Sequence, residues 1–245
     1  MVTDRRACPE GLEEAVEAAV AAGVDRVQIR DRELEGRDLL EHARAVAGAA
    51  RRGARARVPV PVPVRSRART SLPAGAGAPS APDAGRVEIV VNRRLDVALA
   101  IDADGVHLGF DALAVDQALD FIERHGGVTL VGVSAHSEAE VAAAARAGAG
   151  YAHLAPIHAP LSKAAERPSL GLGALADACR QPIAVIAQGG VTATGVADLV
   201  AAGAAGVAVS GAILMADDPG RAAAALCRAL DLAAPVRSGR SGDLS

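Results

Sequence analysis

The residues of this 245-residue chain that could do chemistry sit in short clusters, each just after an apolar run. Gln28, Arg30 and Arg32 form the first cluster, and Asn92, Arg93 and Arg94 the second. Ser134 and His136 end a third run, and His158, Ser162 and Lys163 follow a fourth. Gly189-Gly190 and Ser210-Gly211 close two later runs. Several arginines and a lysine suit an anion, most simply a phosphate or diphosphate, because a guanidinium presents forked donors to oxyanions. The glycines let backbone N–H groups approach such an anion without a Cβ clash. His136 can titrate near neutrality and move a proton, although a helix-entry role explains it equally well. His107 and His153 lie inside apolar runs and read as packed or supporting residues. No histidine and carboxylate set has convincing metal spacing, so no metal ligand is assigned.

Those clusters need elements to bring them together. Apolar runs read as strands at Val2–Arg5, Val24–Arg30, Val87–Asn92, Asp104–Gly109, Thr129–His136, Tyr151–Ile157, Pro182–Gln188 and Gly206–Gly211. Ala-rich helical stretches separate them. Leu12, Val16 and Val20 make one helical face, Ser137 with Glu140 has the form of a capping box, and Pro219 opens the last helix. Apolar strands alternating with amphipathic helices indicate a parallel sheet covered by helices. Eight such units in a chain of this length predict an α/β fold: a single (β/α)8 TIM barrel over residues 1–233. Active sites of such barrels lie at the strands' C-terminal ends. Every cluster above falls there, whereas Asp102 and Asp104 fall at the opposite end.

One segment interrupts the pattern. Val58 to Val64 alternates Val and Pro, which bars a central strand, and the residues up to Gly85 are rich in Arg, Pro, Ala, Ser and Gly. Residues 55–85 read as a disordered insertion between the second helix and the third strand, with Arg65, Arg67 and Arg69 either solvated or touching a phosphate. Residues 234–245 read as a flexible tail.

Composition narrows the function. Net charge is −3, without the basic excess of a nucleic-acid partner. There is no Trp, one Tyr and two Phe, so base-stacking platforms are not expected. Cys8, Cys179 and Cys227 are too scattered for a disulfide frame or zinc site. No apolar run reaches the roughly 18 residues of a spanning helix, and Met1–Arg6 is unlike a signal peptide. A cytoplasmic protein with no membrane partner is expected; a homo-oligomer is compatible with the sequence.

"VQIRDRE" (Val27–Glu33), "VNRRLDVALAIDADGVHLG" (Val91–Gly109) and "GVSAHSEAEVAAAARAGAGYAHLAPI" (Gly132–Ile157) resemble the thiamine phosphate synthase/TenI superfamily. So do Ser162-Lys163, "IAQGGVT" (Ile186–Thr192) and "GVAVSGAI" (Gly206–Ile213). The resemblance implies a barrel enzyme of thiamine biosynthesis. In the synthases a hydroxymethylpyrimidine diphosphate loses pyrophosphate and a thiazole phosphate nitrogen attacks the pyrimidine cation. By position, Gln28, Arg30, Arg32, Asn92, Ser134 and Lys163 would surround the diphosphate, and Gly189, Gly190, Ser210 and Gly211 would hold the thiazole phosphate.

The departures bear on chemistry. A synthase carries aspartates for Mg2+ after its third and fourth strands; Arg93 and Ala112 stand at those positions. Pro160 and Ser162 replace threonines, Arg32 a lysine, and Gln188 a small residue. Lost metal carboxylates are the pattern of the TenI-type branch, whose thiazole tautomerases move a proton without metal and whose catalytic histidine aligns with His136. A metal-independent thiazole tautomerase binding a thiazole phosphate is therefore the expectation, with catalytic His136, Arg30 and Lys163. A synthase also binding the pyrimidine diphosphate is the alternative, with Arg93 or Asp111 substituting for the lost metal site; Mg2+ belongs to that alternative alone. A non-catalytic phosphate-binding protein is the third reading.

Overall fold

The computed structural model describes residues 1–57, 86–109, 111–159 and 168–234. Seven parallel strands lie side by side in sequence order: β1 (Arg26–Ile29), β2 (Glu88–Asn92), β3 (Gly105–Leu108), β4 (Leu130–Ala135), β5 (Tyr151–Leu154), β6 (Ala184–Gln188) and β7 (Gly206–Ala208). Helix α1 (Leu12–Ala21) precedes β1. Then α2 (Gly36–Arg55), α3 (Leu95–Ala100), α4 (Val115–His125), α5 (Glu138–Arg146), α6 (Gly171–Ala178) and α7 (Val196–Ala201) each follow a strand. The chain ends in α8 (Gly211–Leu214) and α9 (Pro219–Ala233).

Met1–Thr3 closes the ring. Val2 N–H donates to Val209 O at 2.8 Å on one side. On the other, Gln28 N–H donates to Met1 O and Thr3 N–H to Gln28 O, both at 2.9 Å. The fold is a (β/α)8 barrel whose remaining stave is one bridged residue, Val2 opposite Gln28. This corrects the expected strand over Val2–Arg5. The chain leaves the sheet at Asp4, whose Oδ1 accepts from Arg6 N–H at 3.1 Å and whose carbonyl accepts from Ala7 N–H at 3.0 Å. An aspartate that bonds its own downstream backbone turns the chain in place of extending it.

Strand side chains alternate between two cores. Val27, Ile29, Ile89, Val91, Val106, Leu108, Val131, Val133, Ala152, Leu154, Val185 and Ala187 pack outward against the helices. Each contributes about 1.5–3 kcal/mol if large and fully buried, so this layer holds the ring. The intervening positions point inward. Val90, Leu130 and Tyr151, with Ala184 and Ile186, form a small apolar plug inside the barrel. Gly132 makes room for it, since a Cβ there would lie 2.0 Å from the Tyr151 ring. Above the plug the inward positions are polar.

The caps follow the residue types. Ser137 Oγ accepts from Glu140 N–H at 3.2 Å, and Asp218 Oδ1 from Arg221 N–H at 2.8 Å. The Glu140 carboxylate accepts from His136 N–H at 2.7 Å, one residue before the capping residue. Helix α8 carries no periodic signal in the sequence, because four residues are too few to show one. The insertion expected at 55–85 is corrected at its start, where Arg55 is still the last residue of α2. The rest of it, with Arg65, Arg67 and Arg69, lies outside the described residues, as does the tail beyond Ala234. No helix among the described residues is long and apolar enough to cross a membrane.

Candidate active site

Because all strands run the same way, their C-terminal ends share one rim. Going round it, β1 delivers Gln28 and Arg30, β2 Asn92 and Arg93, β4 Ser134 and His136, β6 Gly189-Gly190 and β7 Ser210-Gly211. Arg32 is exposed in the loop after β1. Ser162 and Lys163 lie outside the described residues.

On the β1–β2 side, Gln28 is buried and its amide Nε2 donates to Asn92 Oδ1 at 3.0 Å. Its Oε1 is buried without a partner among the described residues, an acceptor left open inside the mouth. Arg30 is tied by its backbone, donating N–H to Thr3 Oγ1 at 2.9 Å, while its guanidinium lies 3.6 Å from Asp4. Burial, and next the charge of Arg32, hold the Arg30 guanidinium below its ordinary pKa. Sequence reading missed Thr3 and Asp4, which reach the rim only because Met1–Thr3 closes the ring.

Arg93 sits in the left-handed region at φ 68°, and its N–H donates to His107 O at 2.8 Å. Its guanidinium pairs with Asp111 at 2.9 Å, both side chains about 40% exposed. Arg94 points elsewhere, bonding Asp96 at 2.6 Å beside α3. At the opposite end of the barrel, Asp104 Oδ2 accepts from Ile89 N–H at 2.8 Å, as expected for a residue outside the site.

The polar inner positions of β3, β4 and β5 make a chain. Tyr151 Oη lies 3.1 Å from His107 Nδ1, and His107 Nε2 lies 2.9 Å from Ser134 Oγ. The His153 ring stacks 4.5 Å from His107, and its Nδ1 lies 3.1 Å from Gln188 Oε1. Burial first, then the charges of Arg26 and Arg30, lower the His107 pKa to about 3. Burial likewise holds His153 well below its usual value and raises the Tyr151 phenol. All three are therefore neutral at pH 7. Ser134 is exposed although Val133 and Ala135 beside it are buried, so its hydroxyl opens onto the mouth. His107 and His153 match the expectation of packed, supporting residues. Tyr151 and Gln188 were not singled out as partners; the chain's lone tyrosine on an inward position was the available signal.

His136 is oriented by a single strong contact. Its Nδ1 lies 2.7 Å from Ala155 O, and a carbonyl can only accept, so Nδ1 carries a proton and Nε2 has no partner among the described residues. Gly189 and Gly190 adopt φ of 95° and 60°. A Cβ on Gly190 would lie 2.4 Å from Ala159 O. The glycines therefore let this loop pack under the one after β5, besides baring their amides. Among the described residues, the N–H groups of Gly190, Ser210 and Gly211 donate to no backbone carbonyl. Three unbonded donors on one rim suit an oxyanion.

Residues 1–77 and 80–213 match the family model for thiamine monophosphate synthase. The chain is 34% identical over 229 residues to the thiamine-phosphate synthase of Roseiflexus castenholzii, covering 93% of this chain and 85% of that protein. It is 38% identical over 209 residues to the thiamine-phosphate synthase of Methanoculleus marisnigri, covering 85% and 82%. A solved thiamine phosphate pyrophosphorylase from Pyrococcus furiosus shares the fold, with a TM-score of 0.71, 24% identity and coverage of 95% and 94%.

Proposed function

The chain belongs to the thiamine monophosphate synthase family, and from that premise we propose that it joins hydroxymethylpyrimidine diphosphate to thiazole phosphate with release of pyrophosphate. The observation carrying this reading is identity of 34–38% over nearly the whole barrel to proteins named for that reaction. Those names favour the joining reaction over the tautomerase expected from the sequence.

In this reading the bond from the pyrimidine methylene carbon to the diphosphate oxygen breaks, and pyrophosphate leaves with the electron pair. The thiazole nitrogen then bonds that carbon. Arg30, Arg32 and Arg93, with Lys163, supply positive charge to the leaving group, and Asn92, Gln28 and Ser134 orient it. The amides of Gly189, Gly190, Ser210 and Gly211, with Ser162 nearby in sequence, hold the thiazole phosphate. His136 Nε2, without a partner among the described residues, serves to exchange a proton.

The residues do not fit the divalent cation that the family resemblance implies. A hard cation prefers carboxylate oxygens, yet the two equivalent positions hold Arg93 and Ala112. The neighbouring Asp111 is engaged by Arg93, and no metal-holding group of His, Cys, Asp and Glu occurs among the described residues. The guanidinium groups of Arg30, Arg32 and Arg93 supply the positive charge in the cation's place.

The test is thiamine phosphate formation by the full chain from both substrates, with Mg2+ and with a chelator. Product in both conditions is expected. No product in either, at high protein concentration, ends the reading. His136, held through Nδ1 with Nε2 unpartnered among the described residues, favours a second reading: proton transfer on thiazole carboxylate phosphate, followed by NMR. An unchanged rate in His136→Ala would remove it.

A further inference from the structure

Neutral His107 has one N–H and one lone pair, and it touches two hydroxyls, Tyr151 Oη at Nδ1 and Ser134 Oγ at Nε2. Two arrangements satisfy those distances. In the first, Tyr151 donates to Nδ1, Nε2–H donates to Ser134 Oγ, and the Ser134 proton is left to point away from the ring. In the second, Nδ1–H donates to Tyr151 and Ser134 donates to Nε2. The second strands the Tyr151 proton: the phenol is 2% exposed, its other polar neighbour Arg26 can only donate, and among the described residues the His107 ring is the one acceptor it meets. An unmade buried donor is disfavoured by roughly tenfold or more. The first arrangement therefore prevails.

Its consequence lies at the mouth. Ser134 accepts from His107 through one lone pair and spends no proton on the ring, so its hydrogen is left free to point outward, at an exposed position on the rim shared with Arg30 and Asn92. We propose that Tyr151 and His107 are positioning residues that keep the Ser134 proton off the His107 ring and free to donate to an oxyanion of the ligand. The Arg26 guanidinium, 4.5 Å above the Tyr151 ring and paired with Glu88 at 2.7 Å, anchors the lower end of this chain. The assignment of a diphosphate as that ligand rests on the function proposed above; the locked tautomer does not.

Two measurements on the full chain separate those layers. The first is 15N NMR of the histidine rings in ligand-free protein, with His107 assigned by its shift in Ser134→Ala. Protonation at Nε2 is expected; protonation at Nδ1 overturns the proposal whatever the protein binds. The second is calorimetric titration with inorganic pyrophosphate. Ser134→Ala is expected to weaken binding about tenfold. Tyr151→Phe, which keeps the ring, is expected to weaken it a few-fold and to mix the His107 tautomers. The double variant should bind no worse than Ser134→Ala alone, because Tyr151 acts through Ser134. Additive losses overturn the relay. If pyrophosphate fails to bind the unsubstituted protein, the ligand assignment falls, and the tautomer result still decides the lock.

Discussion

The two halves of the barrel mouth hold their polar groups by opposite means. Under β3–β5, His107, Tyr151 and His153 are buried, neutral and joined side chain to side chain. Over β1, the groups are charged and half open: Arg5 with Asp31 at 3.0 Å and Glu33 at 3.2 Å, Arg6 with Glu33 at 3.4 Å, Arg30 near Asp4 at 3.6 Å. Burial fixes geometry but makes charge costly. Exposure lets cations keep their charge and reach a ligand, but such pairs stabilise the fold little. A site for a phosphorylated substrate needs both, and this barrel assigns them to different sectors.

Substitutions should therefore separate the sectors. The largest effect is expected at Gly132→Ala, where the new methyl would lie 2.0–2.5 Å from three Tyr151 ring atoms. Overpacking of this kind costs about 3 kcal/mol, read as a lower urea midpoint; an unchanged midpoint would mean the buried sector yields easily.

Next is pH. His107 titrates near 3 when folded against 6.5 when unfolded. Above pH 6.5 both states are neutral there. Below it the unfolded chain binds a proton that the folded one refuses, so stability falls from pH 6.5 toward 3, by about 2 kcal/mol at pH 5 from this residue. His153 adds in the same direction. Denaturation at pH 7 and 5 measures the loss, which should shrink in His107→Asn.

Third, Arg30→Ala should weaken pyrophosphate binding about tenfold while moving the urea midpoint little; a large stability loss would erase the division of labour. The smallest effect belongs to Asp111→Asn. Unfolding should change by less than about 1 kcal/mol, while pyrophosphate binds a few-fold tighter as Arg93 is released. Weaker binding would mean Asp111 itself serves the ligand.

Much of the architecture was legible because its signals are local. Val27 and Ile29, or Val131 and Val133, mark strands by their own types, and Ser137 and Asp218 announce helices by the hydroxyl and carboxylate they place at the caps. The N-terminal stave was legible in part: Val2 reads as the start of a strand, but its shortness rests on its bonds to Val209 and Gln28, which lie far along the chain, and on the turn at Asp4. Likewise Arg93 reads as a free cation until Asp111 is seen beside it.

The sequence by itself determined that strands and helices alternate and that Arg30, Arg93, the glycines after β6 and β7 and His136 sit on one rim. Parallel strands share a direction, so position along each strand suffices to say which end a residue occupies. Tertiary structure alone decided which proton each hydroxyl and imidazole carries. His107 meets Tyr151 and Ser134 across 44 and 27 residues of chain. Whether a group donates or accepts depends on the partner burial leaves it, and no local pattern records that partner.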